Sequence, residues 1–398
     1  MGQFVRGYFL RSAFFGFVLA LFSGIFASNA FADHHFSYVR DNVDGSQTLT
    51  GHVPREVREA SAFFRNHFKN NITAQIIMPL SNQAALDSLL QSLYDPSSPN
   101  FHHFLTADQF AQQFSASGVD TGFVQEFLRQ HGIYVTGQSP NGTVLYVSGP
   151  ASAFENTFGL QINSYQKSDG TPFFAPNADP TIPASLAGKI LAVGGLDNLP
   201  KYQGHFQGLA SALPKAAGSG PGGYLAPGDV KAAYNLNGIS STGSGQSVAL
   251  FELDGYQAKD ITAYESKFSL PNVPLQNTLI DGFNGTPNYN AGAAEVTLDI
   301  ELVAAFAPGS SVLVYEAPNT TQAWIDEWTR IASDNKAKVV SCSWGEPEVD
   351  SPTLSFDNAI FQQMAAQGQA VFVAAGDNGA FDAGGKTLGV DEPAASPM

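Results

Sequence analysis

Apolar and polar positions alternate along this chain in two distinct textures. Through the first block, residues 33 to about 200, short apolar runs with a period of two are interrupted by stretches of helical period. The pattern predicts strands over residues 74–79, 143–148 and 161–165. It predicts helices over 83–94 and 122–132, the latter with Phe123, Phe127 and Leu128 on one side, and a third helix capped near Thr106 after a Pro-rich turn at 95–106. Strands and helices in this mixture suggest a small α+β domain. Residues 201–223 are rich in Gly, Ala, Ser and Pro and read as an exposed linker and a cleavage region. From Tyr224 the texture becomes regular. Strands are expected at 247–253, 312–316, 338–343 and 370–375, and helices at 293–307, 321–333 and 355–367. Strands alternating with helices of that length imply parallel βαβ units, whose ligands bind beyond the carboxyl ends of the strands. Ser343, Trp344 and Gly345, and the turn Gly376-Asp-Asn-Gly379, follow two of those strands and fall on that edge.

Composition narrows the function. With 398 residues, 43% hydrophobic and 14% charged, the chain has material for two packed domains. Its net charge of −16 and lack of Lys/Arg clusters argue against a nucleic-acid partner. The same acidity serves solubility, and it also suits work at low pH. Arg6 and Arg11, an apolar stretch over 13–26 and the small-x-small site Ala30-Phe-Ala32 read as a signal peptide over residues 1–32, with a mature start at Asp33. The expected location is therefore secreted, extracellular or periplasmic. The apolar stretch is short for a membrane span, so no membrane partner is expected. The one cysteine, Cys342, allows no intramolecular disulfide and reads as a buried structural thiol.

All eight histidines lie at or before His205, so the second block holds neither a Ser-His-Asp triad nor a His-Glu-x-x-His zinc helix of its own. Catalysis there would fall to carboxylates. Glu295 and Asp299 are four residues apart on one helix, which stacks them on one face about 5–6 Å apart. Leu298, Ile300, Leu302, Val303 and Phe306 suggest that this helix is mostly buried. The pair is either a solvated face bearing like charges or a coupled acid pair sharing a proton. Asp377 either makes an ordinary Asp-Asn-Gly turn or donates a proton to a developing oxyanion.

Several stretches together resemble one family. Ala294-Glu-Val-Thr-Leu-Asp-Ile-Glu-Leu-Val-Ala-Ala-Phe-Ala-Pro-Gly309 closely resembles the active-site helix of sedolisins, the serine-carboxyl peptidases. Val340-Ser-Cys-Ser-Trp-Gly345 is similar to their substrate-lining strand, and Val373-Ala-Ala-Gly-Asp-Asn-Gly379 to their oxyanion turn. Tyr224-Leu-Ala-Pro-Gly-Asp-Val-Lys-Ala-Ala-Tyr-Asn235 resembles the start of their mature domain. Residues 95–106, Val147-Ser-Gly149 with 154–159, and Val193-Gly-Gly-Leu196 resemble their activation prodomain. The resemblance implies a ferredoxin-like α+β prodomain over 33–200, a linker over 201–223, and an incomplete α/β subtilisin-like parallel-sheet domain over 224–398. It makes Glu295 the general base, Asp299 its orienting partner and Asp377 the oxyanion acid. Ser343, Trp344 and Gly345 would bind an extended substrate as an added strand.

The implied partners are protein or peptide substrates and the chain's own prodomain as an intramolecular inhibitor, in a monomer. The family's nucleophilic serine lies in a Gly-Thr-Ser motif downstream of Asp377, and its calcium site lies further on. Residues 1–398 contain no Gly-Thr-Ser, and the neighbours of Ser396 do not match it. The polypeptide is accordingly expected to be inactive. Two other readings stand beside this one. One is a non-catalytic inhibitor or folding helper with an inert peptidase remnant. The other is a glycosidase built on paired carboxylates, which the four-residue spacing on one helix fits poorly.

Overall fold

The computed structural model describes residues 39–59, 66–167, 169–204, 218–384 and 388–397. The signal-peptide reading and the cleavage region from His205 to residue 217 lie outside the described residues.

The first block is built on a four-stranded sheet. β1 (Asn71–Ile77) leads through α1 (Gln83–Tyr94), α2 (Ala107–Phe114) and α3 (Gly118–Gln130) to β2 (Tyr134–Gln138). β3 (Val144–Pro150), α4 (Ala151–Phe158) and β4 (Ala192–Gly194) follow. The strands pair antiparallel in the order β4-β1-β3-β2. Neighbouring residues point to opposite faces of such a sheet. Ile76, Leu145 and Val193 therefore enter a core with Leu128, Phe154 and Phe158. Their neighbours Ile77, Val144 and Ala192 enter the core of the second block.

That second block continues from β5 (Gln203–Gly204), a short strand treated below. Its main elements are β6 (Ser247–Glu252), α5 (Ala258–Phe268), β7 (Leu275–Leu279), α6 (Ala293–Phe306), β8 (Ser311–Glu316), α7 (Thr321–Asp334), β9 (Val339–Cys342), β10 (Trp344–Pro347), α8 (Leu354–Ala366) and β11 (Ala370–Val373). Five strands form one parallel sheet in the order β7-β8-β6-β9-β11. β6, the first in sequence, lies in the middle. The chain therefore leaves it in one direction and returns to continue in the other. In such sheets ligands bind beyond the carboxyl end of the strand where the direction changes, here β6. α7 and α8 carry the first block: the Gln75 amide donates to Gln322 O (3.1 Å), Asn141 to Gln363 Oε1 (2.8 Å) and the Tyr94 hydroxyl to Ala365 O (2.9 Å). Arg55 and Arg58 both ion-pair with Asp350. Among the described residues, no helix is long and apolar enough to cross a membrane.

Most expected elements are found within a residue or two of their expected ends. α3 starts earlier than expected, at Gly118, because the Ser117 hydroxyl accepts the Asp120 N–H and caps it there (3.4 Å). The pattern missed α5 and β7. α5 buries only Ile261 and Glu265, and β7 is an edge strand held by its backbone, so neither shows a strong apolar period. Two expectations need correction. α6 is buried along one side, through Ala293, Glu295, Val296, Asp299, Ile300, Ala304 and Ala305, but not through the residues expected to bury it: of those only Ile300 is covered, Leu298, Val303 and Phe306 are half-buried and Leu302 is exposed. Small and β-branched residues, with the two acids, make the covered side. The stretch 201–223 is not exposed from its start either. Lys201 and Tyr202 are covered by the second block because an ion-pair partner and an aromatic face await them there.

Candidate active site

The carboxyl end of β6 sets the site. The chain turns at Asp254, whose carboxylate accepts the N–H groups of Gly255 (2.7 Å), Asn288 (2.9 Å) and Gly292 (2.9 Å). Gly292 is the residue that opens α6, so Asp254 fixes where that helix begins. Nothing larger fits at Gly292: a Cβ would lie 2.1 Å from the Trp344 ring. One turn on, Glu295 points inward at the helix N-terminus, where the helix dipole favours a negative charge.

Glu295 and Asp299 are 4% and 8% exposed, so the pair is not a solvated face. Burial pushes Asp299 up to about 6, opposed by a hydrogen bond from Ser343. Ser343, expected to line the substrate, thus also holds Asp299. Behind the pair stands Glu252, fully buried at the end of β6. Its carboxylate accepts the indole N–H of Trp344 (2.9 Å), and its own backbone N–H donates to Glu327 Oε1 (2.8 Å). Burial first, and then the nearby Asp299, push Glu252 well above the usual carboxylate range. Glu252 thus joins Glu295, Asp299 and Glu327 in a cluster of buried acids. Sequence reasoning missed Glu252, Glu327 and Asp254. The available signal was an acid closing the apolar run Val248-Ala-Leu-Phe-Glu252, which is costly unless it has a partner.

Asp377 is exposed on the turn after β11, beside Gly376 at φ 78°. It lines a cavity of about 600 Å³ with Gly204, Gly345 and Glu346. Trp344 and Gly345 open β10, whose later residues Glu346 and Pro347 pair antiparallel with Glu392 and Asp391, and Cys342 is buried before it with its thiol donating to Trp344 O (3.3 Å). Against Trp344 and Gly345 lies the chain's own β5, antiparallel, with Gln203 opposite Gly345 and Gly204 opposite Trp344. A Cβ on Gly204 would meet Glu295 Cβ at 3.0 Å. Gly204 thus sits between Glu295 and the cavity that holds Asp377. Among the described residues, no group of three or more His, Cys, Asp or Glu side chains is arranged to hold a metal ion. The calcium ion that the resemblance implies finds no fit in them, and no step proposed below runs through one.

Residues 66–199 match the pro-kumamolisin activation domain and residues 278–398 match the subtilase family. Kumamolisin from Bacillus sp. (strain MN-32) is 33% identical over 317 residues, which is 75% of this chain and 56% of that protein. The chain belongs to the sedolisin family. Sedolisin from Pseudomonas sp. (strain 101) is 26% identical over 364 residues, 87% of this chain and 62% of the relative. Xanthomonalisin from Xanthomonas sp. (strain T-22) is 27% identical over 329 residues, 77% of this chain and 39% of the relative. The chain thus spans roughly half the length of the curated sedolisins it matches. The family assignment is to serine-type, serine-carboxyl endopeptidases, which displaces the glycosidase reading.

One expected outcome tests the inner part of this sedolisin site. Trp344→Phe keeps an aromatic ring but removes the indole N–H and some packed volume, and leaves the buried Glu252 carboxyl without its donor. It should destabilise the chain by about 1–3 kcal/mol in chemical denaturation. An unchanged midpoint would mean that other groups hold Glu252.

Proposed function

We propose that this chain is the zymogen portion of a secreted, acid-acting serine-carboxyl endopeptidase, held inactive by its own prodomain. The observation that carries the reading is the pairing of Gln203–Gly204 with Trp344–Gly345, directly over Glu295. An extended segment added to a sheet edge is how a peptide substrate binds such a cleft. A segment already seated there excludes substrate. The ferredoxin-like reading of the prodomain over 33–200 is supported by the strand order β4-β1-β3-β2 with helices after the first and third strands.

In the proposed reaction the serine hydroxyl attacks the scissile carbonyl and gives its proton to Glu295. Glu295 then passes that proton to the leaving amine. Asp299 holds the Glu295 carboxylate in place. Asp377 donates a hydrogen bond to the oxygen that becomes negative in the tetrahedral intermediate. The serine is the family's Gly-Thr-Ser residue, which residues 1–398 do not contain.

The test is casein hydrolysis at about pH 4, near the ordinary carboxyl range. The purified 1–398 chain should show none, and the product of the full reading frame should show it. Glu295-dependent hydrolysis by the 1–398 chain would sink the proposed nucleophile. No hydrolysis by either would favour the second reading, a prodomain-type inhibitor.

A further inference from the structure

Tyr202 is held by the second block in a way its neighbours do not explain. Its backbone N–H donates to Asn319 Oδ1 (3.1 Å), and its carbonyl accepts from Asn319 Nδ2 (2.6 Å). One side-chain amide thereby satisfies both main-chain groups of a single residue, as a neighbouring strand would. Any residue except proline could be held this way, since the contact reads backbone alone. The Tyr202 ring lies flat on Trp324, with ring centroids 4.2 Å apart and planes 10° apart. The ring is 4% exposed and its hydroxyl lies beside Thr321.

Asn319, Thr321 and Trp324 all belong to the start of α7 and the turn before it. None comes from the first block, so this receptor remains when the prodomain leaves. Tyr202 comes just before β5, two residues ahead of Gly204, which rests on Glu295, while Gln203 between them is exposed.

We propose that Asn319 and Trp324 form a further peptide subsite of the cleft, which clamps the backbone and selects an aromatic side chain two residues before the one resting on Glu295. The proposal deepens the peptidase reading and takes its register from it. The preferred ligand is an extended peptide with Tyr or Phe at that position. The chain's own segment occupies the subsite in the zymogen.

The test uses binding, so it is independent of hydrolysis. In the full 1–398 chain, Tyr202→Ala empties the ring pocket. A fluorescein-labelled peptide of sequence Leu-Pro-Lys-Tyr-Gln-Gly, copied from residues 199–204, and the same peptide with Ala for Tyr are titrated by anisotropy. The Tyr peptide should bind this variant about ten-fold or more tighter than the Ala peptide. The unsubstituted chain should bind neither, because its own segment competes at an effective concentration in the millimolar range. Equal affinity of the two peptides, or equal binding to the unsubstituted chain, overturns the proposal. Should Tyr202→Ala not fold, Asn319→Leu in the same chain tests the clamp by hydrogen exchange. Exchange at the Tyr202 amide should rise about ten-fold or more while the β6 amides stay protected, and unchanged exchange at Tyr202 overturns it. Failure of casein hydrolysis by the full-length product would leave these binding results standing, so the two readings fail separately.

Discussion

Glu295→Gln, made in the product of the full reading frame, is expected to lower kcat/KM for an unfolded protein substrate by about 10²- to 10⁴-fold in acid. The substitution keeps the size and shape of the side chain beneath Gly204 but removes its ability to take a proton. Packing should survive, because the close contacts of Glu295 with Gly204 are made by its Cβ and Cγ atoms, which glutamine retains. The loss should therefore appear in the rate of the chemical step with the unfolding midpoint little changed. No neighbour can stand in as base. Asp299 is one helical turn further on and Glu252 is fully buried, and burial holds the proton on both into mildly acidic pH. A variant retaining more than about a tenth of the parent rate would remove Glu295 from the base role. A midpoint falling in step with activity would show that the residue supports the fold instead.

The pairing of Glu295 with Asp299 was legible because helical spacing alone stacks residues four apart. The parallel sheet was legible because buried strands read as apolar runs between amphipathic helices. What stayed hidden is what the sheet order brings together. Glu252 and Trp344 are 92 residues apart, and only the adjacency of β6 and β9 places the indole N–H on the carboxylate. Asp254 likewise reads as an ordinary turn acid until Gly292 is seen to depend on it. Tyr202 stood in a Gly-rich stretch and was read with that stretch as linker. Composition averages over a window, whereas the burial of Lys201 and Tyr202 depends on single partners, Glu346 and Trp324, supplied from far along the chain.

The chain is expected to be more stable near pH 5 than near pH 8. Burial is the main cause that raises many carboxyls, among them Asp299 to about 6, Glu316 and Asp357 to about 7, and Glu346 to about 8. Glu346 has the geometry of an ion pair with Lys201 at 3.4 Å, but its burial outweighs that attraction. Each of these groups keeps a proton in the folded state that the unfolded chain releases near pH 4. Their contribution is full below that range and is lost as pH rises through about 6 to 8. A shift of two units, as for Asp299, corresponds to about 3 kcal/mol. Because the acids also repel one another, the shifts do not add, and the total should be several kcal/mol.

Other groups act in the opposite direction, among them carboxylates that hydrogen bonds hold below their ordinary range, such as Glu126 at about 2. Buried His52 is bound on both ring nitrogens, with Nδ1 on Leu49 O (2.9 Å) and Nε2 accepting the Val193 N–H (3.1 Å). Burial lowers it to about 4, so it costs stability as pH falls from 6.5 towards 4. The raised buried acids outnumber this one buried imidazole, which leaves the maximum on the acid side of neutrality. Urea midpoints measured from pH 4.5 to 8 should therefore fall at the alkaline end, and a flat or rising profile would count against protonated acids in this core. Asp357→Asn should flatten the slope, since an amide in the same pocket still accepts from the Trp324 indole N–H but carries no titrating proton.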